Sequence, residues 1–545
     1  MPAFDLENLL VEPARRAGLE VRSLVAVVRA GAVGVELPHR LLLIVKALND
    51  YGPFGAAAKI AAIRHGKHPA ISDERGELAY KDFDRQIDQL ANVFRERFAP
   101  GTTIGILCRN HRGPLIAAFA ASRAGLNAVW LNTAFSARQA GEVAEREGVQ
   151  LLVHDADFAD VVAQFEPTHG KVIVDIAAAT DEFDAMIAEG LPKAPPSPAK
   201  PGRIVLLTSG TTGTPKGAPR SEPKGFSVPG AVMERMPIRA RESALISPPL
   251  FHGTGLLIAL MAIALGDKLV LRRKFDPAQV LDDIEAHKVA TICFVPVMLQ
   301  RLLALGDDEI GKRDTSSLRV VFCAGSQLPA AVATKAQEVL GDVVYNLYGS
   351  TEVALATMAT PKDVRESPTS VGKPLLGARI KILDEHGSDL PTGSTGRIFV
   401  GTTMPFEGYT GGGGKEIVGG LMSSGDVGHF DENGRLYVDG RDDDMIVSGG
   451  ENVFPKEIEE LLASHPAVVE AAAIGVDDDE FGKRLRAFVV TKPGSTCTED
   501  EMKAFVKHNL ARYKVPRDIV FLDVLPRNPT GKILKRELAD QEDRG

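Results

Sequence analysis

The stretch that most constrains this chain is Leu206-Leu207-Thr208-Ser209-Gly210-Thr211-Thr212-Gly213-Thr214-Pro215-Lys216-Gly217. It opens on an apolar, β-branched run, Ile204–Leu207, which predicts a buried strand. Five hydroxyl side chains, three glycines and one lysine then fall within residues 208–217. Glycines let backbone N–H groups approach an anion closely, hydroxyls add donors, and a lysine supplies a point charge. These are the parts of a phosphate cradle. The Walker A order Gly-x-x-x-x-Gly-Lys-[Ser/Thr] is absent, because Gly217 follows Lys216. A plain polar turn is the alternative, but a tight turn needs two glycines at most and no lysine.

At 545 residues the chain is too long for one hydrophobic core and predicts two or more domains. The net charge of −9 argues against nucleic acid as a partner. Cys108, Cys293, Cys323 and Cys497 are far apart and show no metal-ligand spacing. The first three sit in apolar runs, as buried free thiols in a reducing cytosol would. No basic-apolar-small leader opens the sequence, and no apolar run approaches the roughly 18 residues of a membrane span. A cytoplasmic protein is expected.

Residues 1–68 read as a basic N-terminal extension, and the spacing of its apolar positions predicts helix. Residues 15–68 hold nine Lys/Arg against three Asp/Glu. Leu41, Ile44, Val45 and Leu48 share one helical face, flanked by Arg40 and Lys46. Two readings follow: peripheral contact with the inner face of an anionic membrane, or packing on the main domain with the arginines in water. From residue 69 onward strands and helices alternate: strands at 103–108, 127–131, 151–154 and 171–175, with a helix at 114–124. That order predicts an α/β domain over 69–441, with mostly parallel sheets flanked by helices. Residues 192–201 form a proline-rich connector into the cradle, and Gly411 to Gly414 a surface loop. After Arg441 the run Asp442-Asp443-Asp444 breaks the apolar pattern. A helix at 455–463, strands at 469–476 and 485–491, and a Thr498/Glu501 capping box predict a small, mobile α+β domain over 442–545.

Further motifs stand in order along the chain. They are Pro248-Pro249-Leu250-Phe251-His252-Gly253, Ala324-Gly325-Ser326-Gln327-Leu328-Pro329 and Asn346-Leu347-Tyr348-Gly349-Ser350-Thr351-Glu352. Ser424-Gly425-Asp426, Gly440-Arg441, Ser448-Gly449-Gly450-Glu451-Asn452 and Pro529-Thr530-Gly531-Lys532 complete the set. With the cradle they resemble the acyl-adenylate-forming enzymes: acyl-CoA synthetases, peptide-synthetase adenylation domains and firefly luciferase. By that resemblance Thr208, Ser209, Gly210, Thr211, Thr212, Gly213 and Lys216 hold the phosphates of ATP. Gly325, Ser326 and Gln327 line the adenine face, Asn346 faces the adenine amino group, and Tyr348, Gly349 and Ser350 lie beside it. Thr351 reaches the α-phosphate, Glu352 with Thr208 holds Mg²⁺, and Asp426 and Arg441 take the ribose and phosphate oxygens. His252 borders the acyl pocket, Asp443 is the interdomain hinge, and Ser448, Gly449 and Gly450 line the coenzyme A tunnel. Lys532 bridges carboxylate and phosphate oxygens. Ser423-Ser424 departs from the family, where basic or aromatic residues and threonine are often found.

The implied reaction has two steps: ATP and a carboxylic acid give an acyl-adenylate and pyrophosphate, then the CoA thiol displaces AMP. The hinge-to-tunnel stretch is most similar to fatty-acid and aryl-acid CoA ligases, and the basic N-terminus favours a medium- or long-chain fatty acid. An aryl acid, or a stand-alone enzyme that loads an acyl carrier protein, is the alternative. The acyl pocket is expected around 256–265 and within 322–358. A monomer or homodimer is expected.

Overall fold

The computed structural model describes residues 6–207, 217–219, 225–404, 408, 414–442, 446–448, 451–453, 455–478, 482–510, 514–528 and 531–539. Two helices open the chain, α1 (Leu6–Ala30) and α2 (Pro38–His65). Gly52 sits at φ +70° just before Pro53 and kinks α2, as a glycine followed by a ring without an N–H donor does.

The alternation from residue 69 builds two sheets. In one, six parallel strands in the order Val344–Ser350, Val320–Cys323, Thr291–Phe294, Ser243–Ile246, Lys268–Leu271 and Pro69–Asp73 carry antiparallel strands at both edges. In the other, Lys171–Val174, Val149–Asp155, Thr103–Leu107, Asn127–Trp130 and Ile204–Leu207 run parallel, and Gly217–Pro219 closes antiparallel. Apolar residues of both sheets, among them Ile71, Leu269, Ile104 and Trp130, join one core with helices Tyr80–Arg97, Arg112–Ala124 and Gly253–Leu265. Buried parallel strands with apolar residues on both faces require such helical cover. A third, antiparallel sheet holds Arg379–Leu383, Gly396–Gly401, Leu421–Phe430 and Leu436–Arg441.

The small domain pairs Val468–Asp478 with Gly482–Thr491, adds Asp518–Phe521 in parallel, and packs helices Pro455–Ala463 and Glu499–Asn509 on them. The Thr498/Glu501 capping box forms as its spacing predicts.

The two halves of α2 have different surroundings. Beyond the kink, Ala56, Ala58 and Ala61 are buried, and Lys59 bonds Asp84 and Asp88. Arg123, fully buried, reaches Asp84 at 2.7 Å and Asp88 at 2.5 Å and donates to the Gly55 carbonyl at 3.0 Å. A buried guanidinium is tolerable only when surrounded by such acceptors. Before the kink, Leu41, Val45 and Leu48 are 53 %, 47 % and 40 % exposed. The face read from the sequence therefore points away from the main domain. α1 packs one stripe on helix Ser227–Arg235, with Ser23 against Gly230, and exposes a second stripe of Val21, Leu24, Val25 and Val28. No helix among the described residues is long and apolar enough to cross a membrane.

Candidate active site

In a parallel sheet the loops after adjacent strands open on one edge. Here that edge collects Pro248 to Gly253 after Ser243–Ile246, Val295 after Thr291–Phe294, and Gly325 to Gln327 after Val320–Cys323. Asn346, buried, lies in register with Cys323.

Most of the Asn346-to-Glu352 motif lies in strand Val344–Ser350. The strand continues through Ser350 and folds back antiparallel into Ala354–Ala359, with a register shift between Tyr348 and Gly349. The close approach demands the glycine: a Cβ at Gly349 would lie 1.9 Å from the Ala354 carbonyl oxygen. Ser350 Oγ donates to Glu352 Oε2 at 2.8 Å and accepts the N–H groups of Glu352 and Val353 at 3.1 and 3.2 Å. These bonds fix Thr351 and Glu352 at the tip of the hairpin, with a carboxylate as a hard oxygen donor.

Asp426 connects this edge to the third sheet. It pairs in register with Arg441, whose Nη1 lies 3.2 Å from Oδ1, and Oδ2 accepts the Tyr348 hydroxyl at 2.6 Å. Burial and then the Asp426 carboxylate push the Tyr348 phenol well above its ordinary pKa, so it stays a donor. The Ser424 departure also acquires a structural account. Its buried Oγ donates to the Ile398 carbonyl at 3.0 Å and accepts the Asp426 N–H at 3.1 Å, anchoring the strand beneath the carboxylate.

His252 begins helix Gly253–Leu265. Burial lowers its pKa to about 4, so the ring is neutral near pH 7, and Nε2 has no hydrogen-bond partner among the described residues. A buried polar nitrogen without a partner is costly, and a ligand group is one way to satisfy it. The preceding loop is fixed by Asn110, which donates to the Pro248 carbonyl at 2.8 Å and accepts the Leu250 N–H at 2.8 Å. Asn110 was not evident from the sequence, because nothing local links it to residues 138 or more positions away.

The small domain meets the same edge. Gly531, at φ +77°, packs on helix Pro296–Leu303: a Cβ there would lie 2.4 Å from Val297 Cγ1 and 3.9 Å from Val295 Cγ2. A Cβ at Gly325 would lie 3.4 Å from Val295 Cγ1, so the loop of Lys532 docks beside the Gly325 turn. The Lys532 backbone is held by an N–H bond to Asn528 Oδ1 at 2.9 Å. Gln327 Nε2 donates to Glu460 Oε1 across the domain boundary, and helix Pro455–Ala463 lies on strand Leu436–Arg441.

Thr208, Ser209, Gly210, Thr211, Thr212, Gly213 and Lys216 lie outside the described residues, as do Asp443, Gly449 and Gly450. Ser448 ends the short strand Ile446–Ser448. An apolar crevice adjoins the hairpin, lined by Val228 and Ala231, Ala354 and Leu355, and the 375–378 turn. Its overlap with the expected pocket is Ala354 and Leu355; Val228 and Ala231 come from a helix that the sequence pattern did not single out. Cys108, His111 and Asp155 also cluster, but His111 spends Nε2 on Asp155 at 2.7 Å and Nδ1 on the Gly113 N–H at 3.0 Å, capping a helix.

Comparison with known proteins matches residues 59–410 to the AMP-binding enzyme model and 457–532 to the AMP-binding enzyme C-terminal domain. A fatty acid–[acyl-carrier-protein] ligase, ScoC of Streptomyces coeruleorubidus, is 31 % identical over 88 % of this chain and 95 % of its own. A feruloyl-CoA synthase of Amycolatopsis sp is 32 % identical, with the same coverage of 88 % and 95 %. The crystal structure of ATP-bound MatB from Rhodopseudomonas palustris superposes with a TM-score of 0.79 at 26 % identity, covering 87 % of this chain and 96 % of MatB. This chain belongs to the AMP-binding enzyme family.

Proposed function

We propose that the chain is an AMP-forming acid–thiol ligase that converts a medium- or long-chain fatty acid to its CoA thioester. A carboxylate oxygen of the acid attacks the α-phosphorus of ATP and pyrophosphate leaves. The CoA sulfur then attacks the acyl carbon, AMP leaves with the C–O electron pair, and the thiol proton is released. The observation that carries the reading is the Tyr348–Asp426–Arg441 cluster, with the Lys532 loop docked on the same strand ends.

Each group has work suited to its chemistry. Asp426, oriented by Tyr348 and Arg441, accepts ribose hydroxyls, while Asn346, Gly325, Ser326 and Gln327 surround adenine. Residues 208–216 supply hydroxyls, backbone N–H groups and the Lys216 charge for the triphosphate, and Thr351 meets the α-phosphate. Glu352 and Thr208 offer the hard oxygens that suit Mg²⁺, which when bound neutralises triphosphate charge. Lys532 supplies positive charge where carboxylate and phosphate oxygens crowd together, a preorganised donor in the sense that stabilises a developing anion. Neutral His252 borders the reacting acyl group without adding charge. Asp443 is the pivot that exchanges Lys532 for the Ser448, Gly449 and Gly450 tunnel in the second step.

The exposed apolar residues of α1 and α2 favour an apolar chain drawn from a membrane surface. On this reading residues 15–68 make peripheral contact with an anionic bilayer. The relatives favour a second reading, since one is named for ferulate and another for a carrier protein. Thioester formation from acids between acetate and stearate, plus benzoate and coumarate, separates them when run with CoA and with a holo carrier protein. A maximum at eight carbons or more with CoA is expected. Preference for coumarate, or for the carrier protein, would replace the fatty-acid assignment.

A further inference from the structure

We infer that Lys456 is a positioning residue for the adenylating half-reaction, a buried cation that the small domain delivers to the ribose-side carboxylates of the large domain. This rests on the two-step reading above.

Lys456 lies in the first turn of helix Pro455–Ala463, and its side chain is only 16 % exposed. A cation there opposes the helix dipole, whose positive end favours acidic residues. A residue that breaks a local rule and is also buried calls for a compensating partner elsewhere. The compensation comes from both domains. Glu459 and Glu460 face it from its own helix, Glu460 with an oxygen 3.8 Å from the ammonium. Helix Pro455–Ala463 lies on strand Leu436–Arg441, which carries Asp439 and holds Arg441 in register with Asp426, so the charges of both large-domain carboxylates act on Lys456.

Those carboxylates already have other donors. Asp439 accepts the Thr395 hydroxyl and pairs with His429 Nδ1, both at 2.8 Å. Glu459 accepts the Ala473 N–H at 2.8 Å and lies 3.1 Å from Lys535 Nζ. Glu460 is tied across the boundary to Gln327. Lys456 therefore acts as a shared counter-charge rather than as one member of a pair. Burial lowers its own pKa and raises that of Glu460, so both groups pay to be desolvated in this arrangement.

The consequence concerns ATP. A polyanion entering beside Asp426 and Asp439 meets two like charges, of which Arg441 offsets one, and Lys456 brings a second cation with the small domain in this pose. Rotation about the 443 hinge would remove it when thioester formation begins. Its charge thus supports adenylation and leaves transfer to CoA unaffected.

The test uses the full chain and the variants Lys456→Met, Lys456→Gln and Lys456→Arg. Acid-dependent ATP–pyrophosphate exchange is measured over a range of ATP, separately from thioester formation with supplied acyl-adenylate and CoA. Lys456→Met should lower exchange at least about fivefold, the low end for coupling between two sites, with a raised KM for ATP. Thioester transfer should stay near the parent rate, and Lys456→Arg should restore exchange. Lys456→Gln gives the same split if the methionine variant folds poorly. Equal loss in both half-reactions, or no loss in exchange, overturns the inference. Absence of exchange in the parent chain with every acid would instead sink the two-step reading, and this inference with it.

Discussion

Replacing Tyr348 with phenylalanine isolates one bond at the proposed ribose site. The hydroxyl donates to Asp426 Oδ2 at 2.6 Å, while Arg441 approaches the other oxygen at 3.2 Å. Hydrogen bonds to charged groups contribute ~1.5–3 kcal/mol. Arg441 keeps the carboxylate partly oriented after the substitution, which places the expected loss toward the lower end. About 1.5–2 kcal/mol corresponds to a roughly 10- to 30-fold rise in KM for ATP. The ring and its packing are unchanged, so the fold should persist, as a thermal melt would record. Measuring pyrophosphate exchange with ATP and with 2′,3′-dideoxy-ATP turns the substitution into a cycle. If Tyr348 acts through Asp426 on the ribose hydroxyls, the variant should lose much on ATP and little more on the dideoxy nucleotide. Equal losses on both would refute that chain of action and leave Tyr348 as a packing residue.

Lys532→Ala should reduce adenylation roughly 10²–10³-fold, the ~3–4 kcal/mol of one preorganised donor, yet convert supplied acyl-adenylate and CoA at near-normal rate. Equal impairment of both steps would favour one fixed active site over domain rotation. Val25→Glu with Leu42→Glu, both at exposed positions, should weaken sedimentation with anionic phosphatidylglycerol vesicles and leave acid activation in solution intact; unchanged sedimentation would refute the bilayer contact. Burial raises the Asp267 pKa from 3.8 to about 8. Its folded carboxyl holds a proton that the unfolded chain has released, so its stabilising contribution is complete below 3.8 and is lost as pH rises through 8. Asp267→Asn should therefore gain stability over the parent between pH 4 and pH 8, on the order of 6 kcal/mol at the upper end. A pH-independent difference in denaturation midpoint would contradict the assignment.

Much of the architecture is legible because it is local. The strand Ile204–Leu207, the strand Val320–Cys323 and the helix Pro455–Ala463 follow from apolar runs and periodicity, and the Thr498 cap from a four-residue spacing. Tyr348, Asp426 and Arg441 were individually readable as motif residues, but their contact spans 78 positions between the tyrosine and the aspartate. Such a pairing depends on sheet order, which no local pattern encodes. The strand continuing through Ser350 was hidden because Gly349 and Ser350 carry turn-forming signals, and the antiparallel partner overrides them. Lys456 had no signal except its place at the wrong end of a helix. On α2, periodicity identified the apolar face but not its direction, since amphipathicity alone does not say whether a stripe meets protein, lipid or water.

That outward face has an unusual relation to salt. Of the 18 large apolar side chains exposed among the described residues, 11 lie between Val21 and Leu48, within a segment of nine basic and three acidic residues. Two copies meeting through this face bring like charge together, so added electrolyte screens their repulsion and promotes association. The proposed attraction to an anionic bilayer would be screened by the same ions and weaken. With a Debye length of about 10 Å at 0.1 M and about 3 Å at 1 M, one patch should thus trade its partners as ionic strength rises, favouring lipid in dilute buffer and self-association in concentrated salt.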